Sequence, residues 1–348
     1  MFLALREIKY SKLRYSLVIG LMFLIAYLVF FLTGLAYGLA QKNREAVDTW
    51  QADQIVLTDE VNGSLRVSHF SQQAFDQIKA PEKAELIQSS ATVKNDEGDK
   101  IDVTFFGIIK NQFLRPDLVE GKMFSEKGEV VADISLKDSD GLNIGDQLKL
   151  SDGKELTIVG FTQKANFNVS PVLYMSQDTF YEATGQTGSK MISAVLVRGK
   201  VSQLPKGLDK LSISQFIEKL PGYRAQNITF SFMIGFLILI AALVIGIFIY
   251  ILTLQKKAVF GVLKAQGVSS AYLAKSVIAQ TFLLSLVAVG LGMGLTLLTA
   301  LILPVAVPFQ VNYLFFSGIG VLMVLMAVLG ALFSILSIVK VDPLKAIG

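Results

Sequence analysis

Apolar positions along this chain follow two regimes. Three stretches carry no charge at all, at 15–41, 225–255 and 276–339, and between the first two the pattern breaks into short alternating runs. A helix that crosses a bilayer needs about 20 apolar residues, so the first two stretches predict one membrane helix each. The run SLVIGLMFLIAYLVFFLTGLAYGLA has 25 residues, far beyond the roughly 7–15 of a signal peptide's apolar core, and predicts an uncleaved signal anchor. The third stretch, 64 residues long, exceeds one helix and is interrupted by Pro304, Pro308, Gln310 and Asn312. Proline breaks helices and polar side chains prefer the membrane surface, so it predicts two spans. The expected spans are 15–40, 228–254, 273–303 and 314–338, with a short outer loop at 304–313.

The alternating region, 41–227, reads as a folded domain. Asn62-Gly63 separates QIVL from SLRV, Glu97-Gly98 separates ATVK from KIDVTFFGII, and Asp152-Gly153 separates DQLKL from ELTIVGF. Each pairs a turn that favours positive φ with β-rich flanks. Helical patterns intervene at 71–78, 177–183 and 214–220. The expected domain is α+β, either as two lobes or as one lobe with a β-rich insertion.

Charge sets the orientation. Residues 41–227 hold 22 Lys+Arg and 26 Asp+Glu, whereas the rest of the chain holds 10 and 2. Arg6, Lys9, Lys12 and Arg14 precede the first span, Lys256, Lys257, Lys264 and Lys275 join the second to the third, and Lys340 and Lys345 follow the fourth. Cations flank the cytoplasmic ends of membrane helices. Both termini (an N-terminal segment 1–14 and a tail 339–348) and the connection 255–272 are thus expected inside, with 41–227 extracellular. The fold class is membrane α-helical, four transmembrane helices with a large α+β extracellular domain between helices 1 and 2. The segment 1–14 fits either an amphipathic elbow helix in the inner headgroup layer or a plain basic flank.

Composition narrows the chemistry. With 52% hydrophobic and 17% charged residues, the chain is not an ordinary soluble protein, and the pattern is not that of a nucleic-acid binder. It has no cysteine and one histidine, so a thiolate nucleophile and a thiolate metal site are excluded. There is no GxxxxGK[ST] loop; Gly185-Gln-Thr-Gly-Ser-Lys190 has the wrong spacing. The spans contain no Asp, Glu or His, which argues against a membrane hydrolase or a proton relay. No catalytic residue, metal site or resident cofactor is expected.

The connection between the second and third spans carries the sharpest local pattern. Val259, Val262, Leu263 and Gln266 share one helical face, Gly267 can end that helix, and Ser269 or Ser270 can cap the next. Such a helix either lies on lipid or docks into a partner's groove. Three small-residue spacings also stand out: Gly34 with Gly38, Ala242 with Gly246, and Gly290 with Gly294. Each is either a packing face or an accident of glycine-rich sequence. Gly34, Gly38, Ala242 and Gly246 are the candidates for a dimer interface between first and second spans.

The segment KKAVFGVLKAQGVSSAYL, two further spans and the terminal KVDPLKAIG together resemble the signature region of FtsX-like permeases, the MacB-type subunits of ABC transporters. The basic leader, GDQLKLSDGKELTIVGF and PVLYMSQDTF are similar to the same family. The resemblance implies a homodimer in membrane lipid with two copies of a separate cytoplasmic ATPase, which holds ATP and Mg. It implies a coupling helix comprising Val259, Phe260, Gly261, Val262, Leu263, Lys264, Gln266 and Gly267, whose motion the second span passes to the outer domain. The family's acidic residue before the glycine of that helix is replaced here by Val259-Phe260, so no salt bridge from that position to the ATPase is implied.

Within the family, the size of the outer domain and the opening YLVFFLTGLAYGLA most resemble the haem-exporter permeases of Gram-positive bacteria. Haem is a planar amphiphile, and the side chains expected at the outer surface suit it. Tyr37, Tyr223, Phe230, Phe232 and Met233 supply aromatic and sulfur groups, and Arg224 can attract a propionate. Interfacial anchoring accounts for Tyr37 and Tyr223 equally well, and packing for the others. His69, Tyr174 and Met175 are iron-ligating residue types, although a lone histidine in a strand-and-turn context is more often a surface residue. Export of an antibiotic, peptide or lipid, or regulation of a cell-wall hydrolase without transport, are the alternative functions.

Overall fold

The computed structural model describes residues 12–186, 188, 190–304 and 307–339. The segments expected at 1–14 and 339–348 lie outside the described residues except at their inner ends, which belong to helices. In chain order the elements are α1 (Lys12–Thr49), β1 (Gln54–Thr58), β2 (Phe70–Ser71), α2 (Gln72–Gln77), β3 (Glu82–Lys94) and β4 (Lys100–Ile108). Then come β5 (Leu118–Gly121), β6 (Glu129–Asp133), α3 (Ser135–Asp140), β7 (Gln147–Lys149), β8 (Glu155–Thr162), β9 (Asn166–Phe167) and β10 (Ser170–Ser176). The chain continues through α4 (Gln177–Thr184), β11 (Met191–Ile192), β12 (Ala194–Arg198), β13 (Leu208–Ser212) and α5 (Ile213–Glu218). It ends with α6 (Tyr223–Gln255), α7 (Lys257–Ala265), α8 (Ser270–Ala300) and α9 (Tyr313–Val339).

Two compact units result, one of Met1–Gly38, Ile228–Leu303 and Phe309–Gly348, the other of Leu39–Asn227 with Pro304–Pro308. In the first unit, α1, α6, α8 and α9 are long and apolar enough to cross a membrane. Their inner faces close on small and β-branched residues interleaved with larger aliphatic and aromatic ones. One cluster gathers Tyr15, Val18, Met22, Ala241, Ile245, Leu273, Val277, Ala327 and Ala331, and a second gathers Ala26, Val29, Phe30, Ile238, Val289, Phe316 and Met323.

The second unit is built on one sheet of eleven strands, with its main path β13-β1-β12-β3-β4-β10-β6-β8-β5. Most neighbours are antiparallel, while β10–β4 and β6–β8 are parallel. Alternation along each strand sends successive side chains to opposite faces. Phe106, Tyr174, Val131 and Leu196 join one core with Trp50, Phe167 and Phe216. Phe105, Leu173, Met175, Val130 and Ala132 join another with α3 and α4 residues. A separate two-stranded sheet pairs β2 with β11.

Three local expectations change. The SLRV segment is a 3-10 turn at Leu65–Val67 and not a strand; a first 3-10 turn at Asp59–Val61 ends β1 at Thr58, and Asn62 serves as its left-handed cap and not as a hairpin turn. Gly98 and Gly153 do close hairpins, between β3 and β4 and between β7 and β8. Both α1 and α6 outrun the uncharged stretches that announced them. The QKNREAVDT end of α1 stays helical, with Arg44 gripping Asp48 one turn on (2.5 Å) and Ala46 and Val47 buried on the sheet.

Candidate functional site

The α6–α7–α8 corner is built by short-range rules. Thr253, deep in the last turns of α6, returns its hydroxyl to the Ile249 carbonyl, and α6 stops at Gln255. Lys256 takes a non-helical conformation and α7 follows, ending at Ala265 before Gly267, whose φ is +90°. Ser269 then caps α8 by accepting from the Tyr272 amide at 3.3 Å. The sequence left Ser269 and Ser270 open; the cap is Ser269.

Helix α7 has two faces. Phe260 and Gly261 are buried, with Phe260 in the Tyr15–Val18–Leu273 cluster, and Leu263 packs beside it. Val259 (55% exposed), Val262 and Gln266 point away from the bundle. The face expected from periodicity therefore splits. Leu263 turns inward with Phe260, leaving Val259 and Val262, with Gln266 at the helix end, as an exposed edge that packs on nothing among the described residues. Beside them Lys256 directs its ammonium to the Tyr15 hydroxyl at 2.6 Å. Sequence reasoning used Lys256 only as a topological charge and passed over Tyr15; the one available signal was a tyrosine at the charged start of an apolar run.

Between α6 and α9 the backbones meet. A Cβ on Gly246 would lie 2.9 Å from the Gly330 carbonyl oxygen, and one on Gly330 would collide with the Ala242 carbonyl. Beside this contact runs an open apolar groove of about 640 Å³, lined by residues including Leu243, Ile247, Tyr250, Met326 and Leu329. Gly34 is likewise occupied inside the chain, since a Cβ there would strike the Phe309 ring, and the Gln310 amide donates to the Gly34 carbonyl at 3.2 Å. Gly38 is buried as well. Gly34, Ala242 and Gly246 thus receive partners from their own chain, namely Phe309 and Gly330, which the sequence pattern did not single out.

The candidates expected around an outer-surface substrate fall in both units. Tyr37 accepts a hydrogen bond from Asn312 Nδ2 at 3.2 Å, with its ring 6.4 Å from that of Phe315. In the same unit Phe232 is 65% exposed and its ring stacks on Phe236 at 6.5 Å, while Phe230 and Met233 are half-buried. In the other unit Tyr223 packs against the main core and Arg224 is exposed.

His69, Tyr174 and Met175 do not converge. His69 is exposed, whereas Tyr174 (2%) and Met175 (0%) are core residues on opposite faces of β10. Adjacent strand residues point apart, so the pair cannot face one ligand. Burial also pushes the Tyr174 phenol well above its ordinary pKa, against the opposing hydrogen bond with Thr49, which disfavours a phenolate. Tyr174 and Met175 are packing residues.

Residues 231–343, which comprise most of α6 and all of α7 to α9, match the FtsX-like permease C-terminal family. Over its whole length the chain is 26% identical to a protein of Staphylococcus epidermidis named putative hemin transport system permease protein HrtB, and the alignment covers 100% of this chain and 99% of that one. An uncharacterized ABC transporter permease of Mycobacterium bovis is 24% identical, again over 100% and 99%. The crystal structure of the periplasmic region of MacB from Actinobacillus actinomycetemcomitans aligns at 14% identity and a TM-score of 0.35, covering 47% of this chain and 89% of that one. Residues 231–343 thus match the FtsX-like permease C-terminal domain, and over its whole length the chain is similar to proteins named as ABC transporter permeases.

Proposed function

We propose that this chain is the membrane subunit of an exporter that draws on ATP hydrolysis by two copies of a separate ATPase and moves an amphipathic substrate, haem, from the membrane or its outer leaflet. The observation that carries the reading is the end-to-end likeness to a permease named for hemin transport. Two features of the chain support it. An exposed Val259–Val262–Gln266 edge on a short helix between two membrane spans is the shape a cytoplasmic ATPase groove accepts. The large 41–227 domain, joined to both α1 and α6, is the body such a stroke would move. The chain works as a homodimer, both termini and α7 face the cytoplasm, and the domain stands outside.

The test is growth of a deletion strain across a haem series. The strain is expected to stop growing at haem levels at least tenfold below those its parent tolerates, with export restored by the intact chain. Equal tolerance removes haem as the substrate. Antibiotic sensitivity in its place points to another amphiphile, and a chaining defect with a co-purifying hydrolase points to the regulatory function.

A further inference from the structure

At the inner end of the bundle, two side chains depart from the ordinary behaviour of their types. A lysine that closes a membrane helix normally extends toward the headgroups, and a tyrosine there normally keeps its hydroxyl in the polar layer. Lys256, between α6 and α7, instead donates to Tyr15 Oη at 2.6 Å, with its ammonium 5.3 Å from the centre of the Tyr15 ring. Tyr15 is 1% exposed and belongs to α1, 241 positions away in sequence. A charge-assisted hydrogen bond thus joins the two residues, in a setting drier than the protein surface.

The pair does not stand alone. The Lys256 carbonyl accepts from the Phe260 amide at 2.9 Å, so the residue that reaches α1 also begins the first turn of α7. At the end of that turn Phe260, 3% exposed, enters the cluster that contains Tyr15, Val18, Met22, Leu273 and Val277. Among the described residues α7 is therefore held by a polar contact to α1 and, one turn on, by an apolar one among α1 and α8, while Val259 and Val262 remain on its open edge. A shift of α7 must either carry α1 with it or break these contacts.

We propose that Lys256 and Tyr15 are a positioning pair that fastens the start of α7 to α1, so that a displacement of α7 reaches α1 directly and not only through its continuity with α6. This rests on the reading of α7 as the element that receives the ATPase's motion. Loss of the Tyr15 hydroxyl or of the Lys256 charge uncouples α1 from α7 and leaves the α7 edge intact.

The chain has no cysteine, so paired labels can be placed cleanly on the full protein in nanodiscs, with labelled chain diluted into unlabelled chain. Spin labels at Leu13 on α1 and Val259 on α7, both exposed, are expected to give one narrow distance distribution in the parent. Tyr15→Phe and Lys256→Gln are expected to broaden it at least twofold, and Lys256→Arg, which keeps the cation, to restore it. Narrow distributions in all variants overturn the proposal. In a second arm, with the ATPase and trapped ATP-vanadate, the label response at Leu28 on α1 is expected to fall at least tenfold in Tyr15→Phe and Lys256→Gln, while the response at Val262 persists. Full response at Leu28 in those variants also overturns it. A parent chain with no response at Val262 refutes the coupling reading instead, and the first arm alone then decides the pair.

Discussion

At the scale of single residues, chemistry in the 41–227 domain is mostly structural, and two positions show how. Glu129 begins β6 and is 12% exposed at its side chain. Its carboxylate accepts from the amides of Ser125 (2.6 Å) and Glu126 (2.9 Å) and pairs with Lys122 at 3.1 Å. The amide of Glu126, that of Ser125 and the Lys122 ammonium all favour the ionised form, lowering the pKa from 4.5 to about 2. A folded-state pKa below the unfolded one gives stabilisation that is complete above about 4.5 and is lost as the pH falls toward about 2. Exchange protection of the Ser125 and Glu126 amides, corrected for intrinsic rates, should fall through that window; in Glu129→Gln it should be low already at neutral pH. A second prediction concerns Trp50, 2% exposed, whose ring lies 6.1 Å from Phe106, 6.5 Å from Phe167 and 5.9 Å from Phe216. Trp50→Ala should cost about 3–5 kcal/mol, read as a lowered denaturant midpoint of the domain in the full chain, with membrane insertion unchanged.

At the scale of elements, helix contacts are set by missing side chains. Without a hydrophobic drive inside lipid, membrane helices associate by close packing, and the α6–α9 contact is nearly backbone to backbone at Gly246, Gly330 and Ala242. Gly246→Leu or Gly330→Leu should force the helices apart at about 1–3 kcal/mol, seen as a lowered thermal midpoint in detergent. Gly290→Leu should change little, since open space surrounds that position. This contrast marks what sequence could and could not give. The four spans were legible because about 20 apolar residues have one physical outcome in a bilayer. Which glycines pack was not legible, because a spacing does not name the facing helix. Gly290 and Gly294 form the motif, yet the glycine pressed on Ala26 and Tyr27 of α1 is Gly292 between them. Helix ends were not legible for a related reason. The uncharged run stops at residue 41, while burial of Ala46, Val47 and Trp50 on the sheet carries α1 to Thr49. The expected dimer face met the same difficulty, as Gly34, Ala242 and Gly246 turned out to have partners on their own chain.

At the scale of the whole molecule, charge supplies the argument that packing does not. Outside 41–227 the chain holds 10 basic and 2 acidic residues, and every basic one lies before α1's uncharged run, between α6 and α8's, or after α9's. Moving such cations across a bilayer is costly, so a single orientation satisfies all three groups at once. Six of those charges have the same sign as their neighbours at the same face and no acid near enough in sequence to offset them, the exceptions being Arg6 and Lys9 around Glu7 and Lys340 and Lys345 around Asp342. A sided membrane protein with such redundancy should resist inversion. Single cysteines at Lys200 and Lys100 in the 41–227 domain are expected to react with an impermeant maleimide added to intact cells. Cysteines at Lys257 and Gln266 should react only after the membrane is opened. Replacing Lys256, Lys257, Lys264 and Lys275 with Gln together should leave the orientation in place, because the cations before α1 still fix the first span. Reaction of the 41–227 positions only in opened cells would reverse the topology, and with it the assignment of α7 to the side where ATP is hydrolysed.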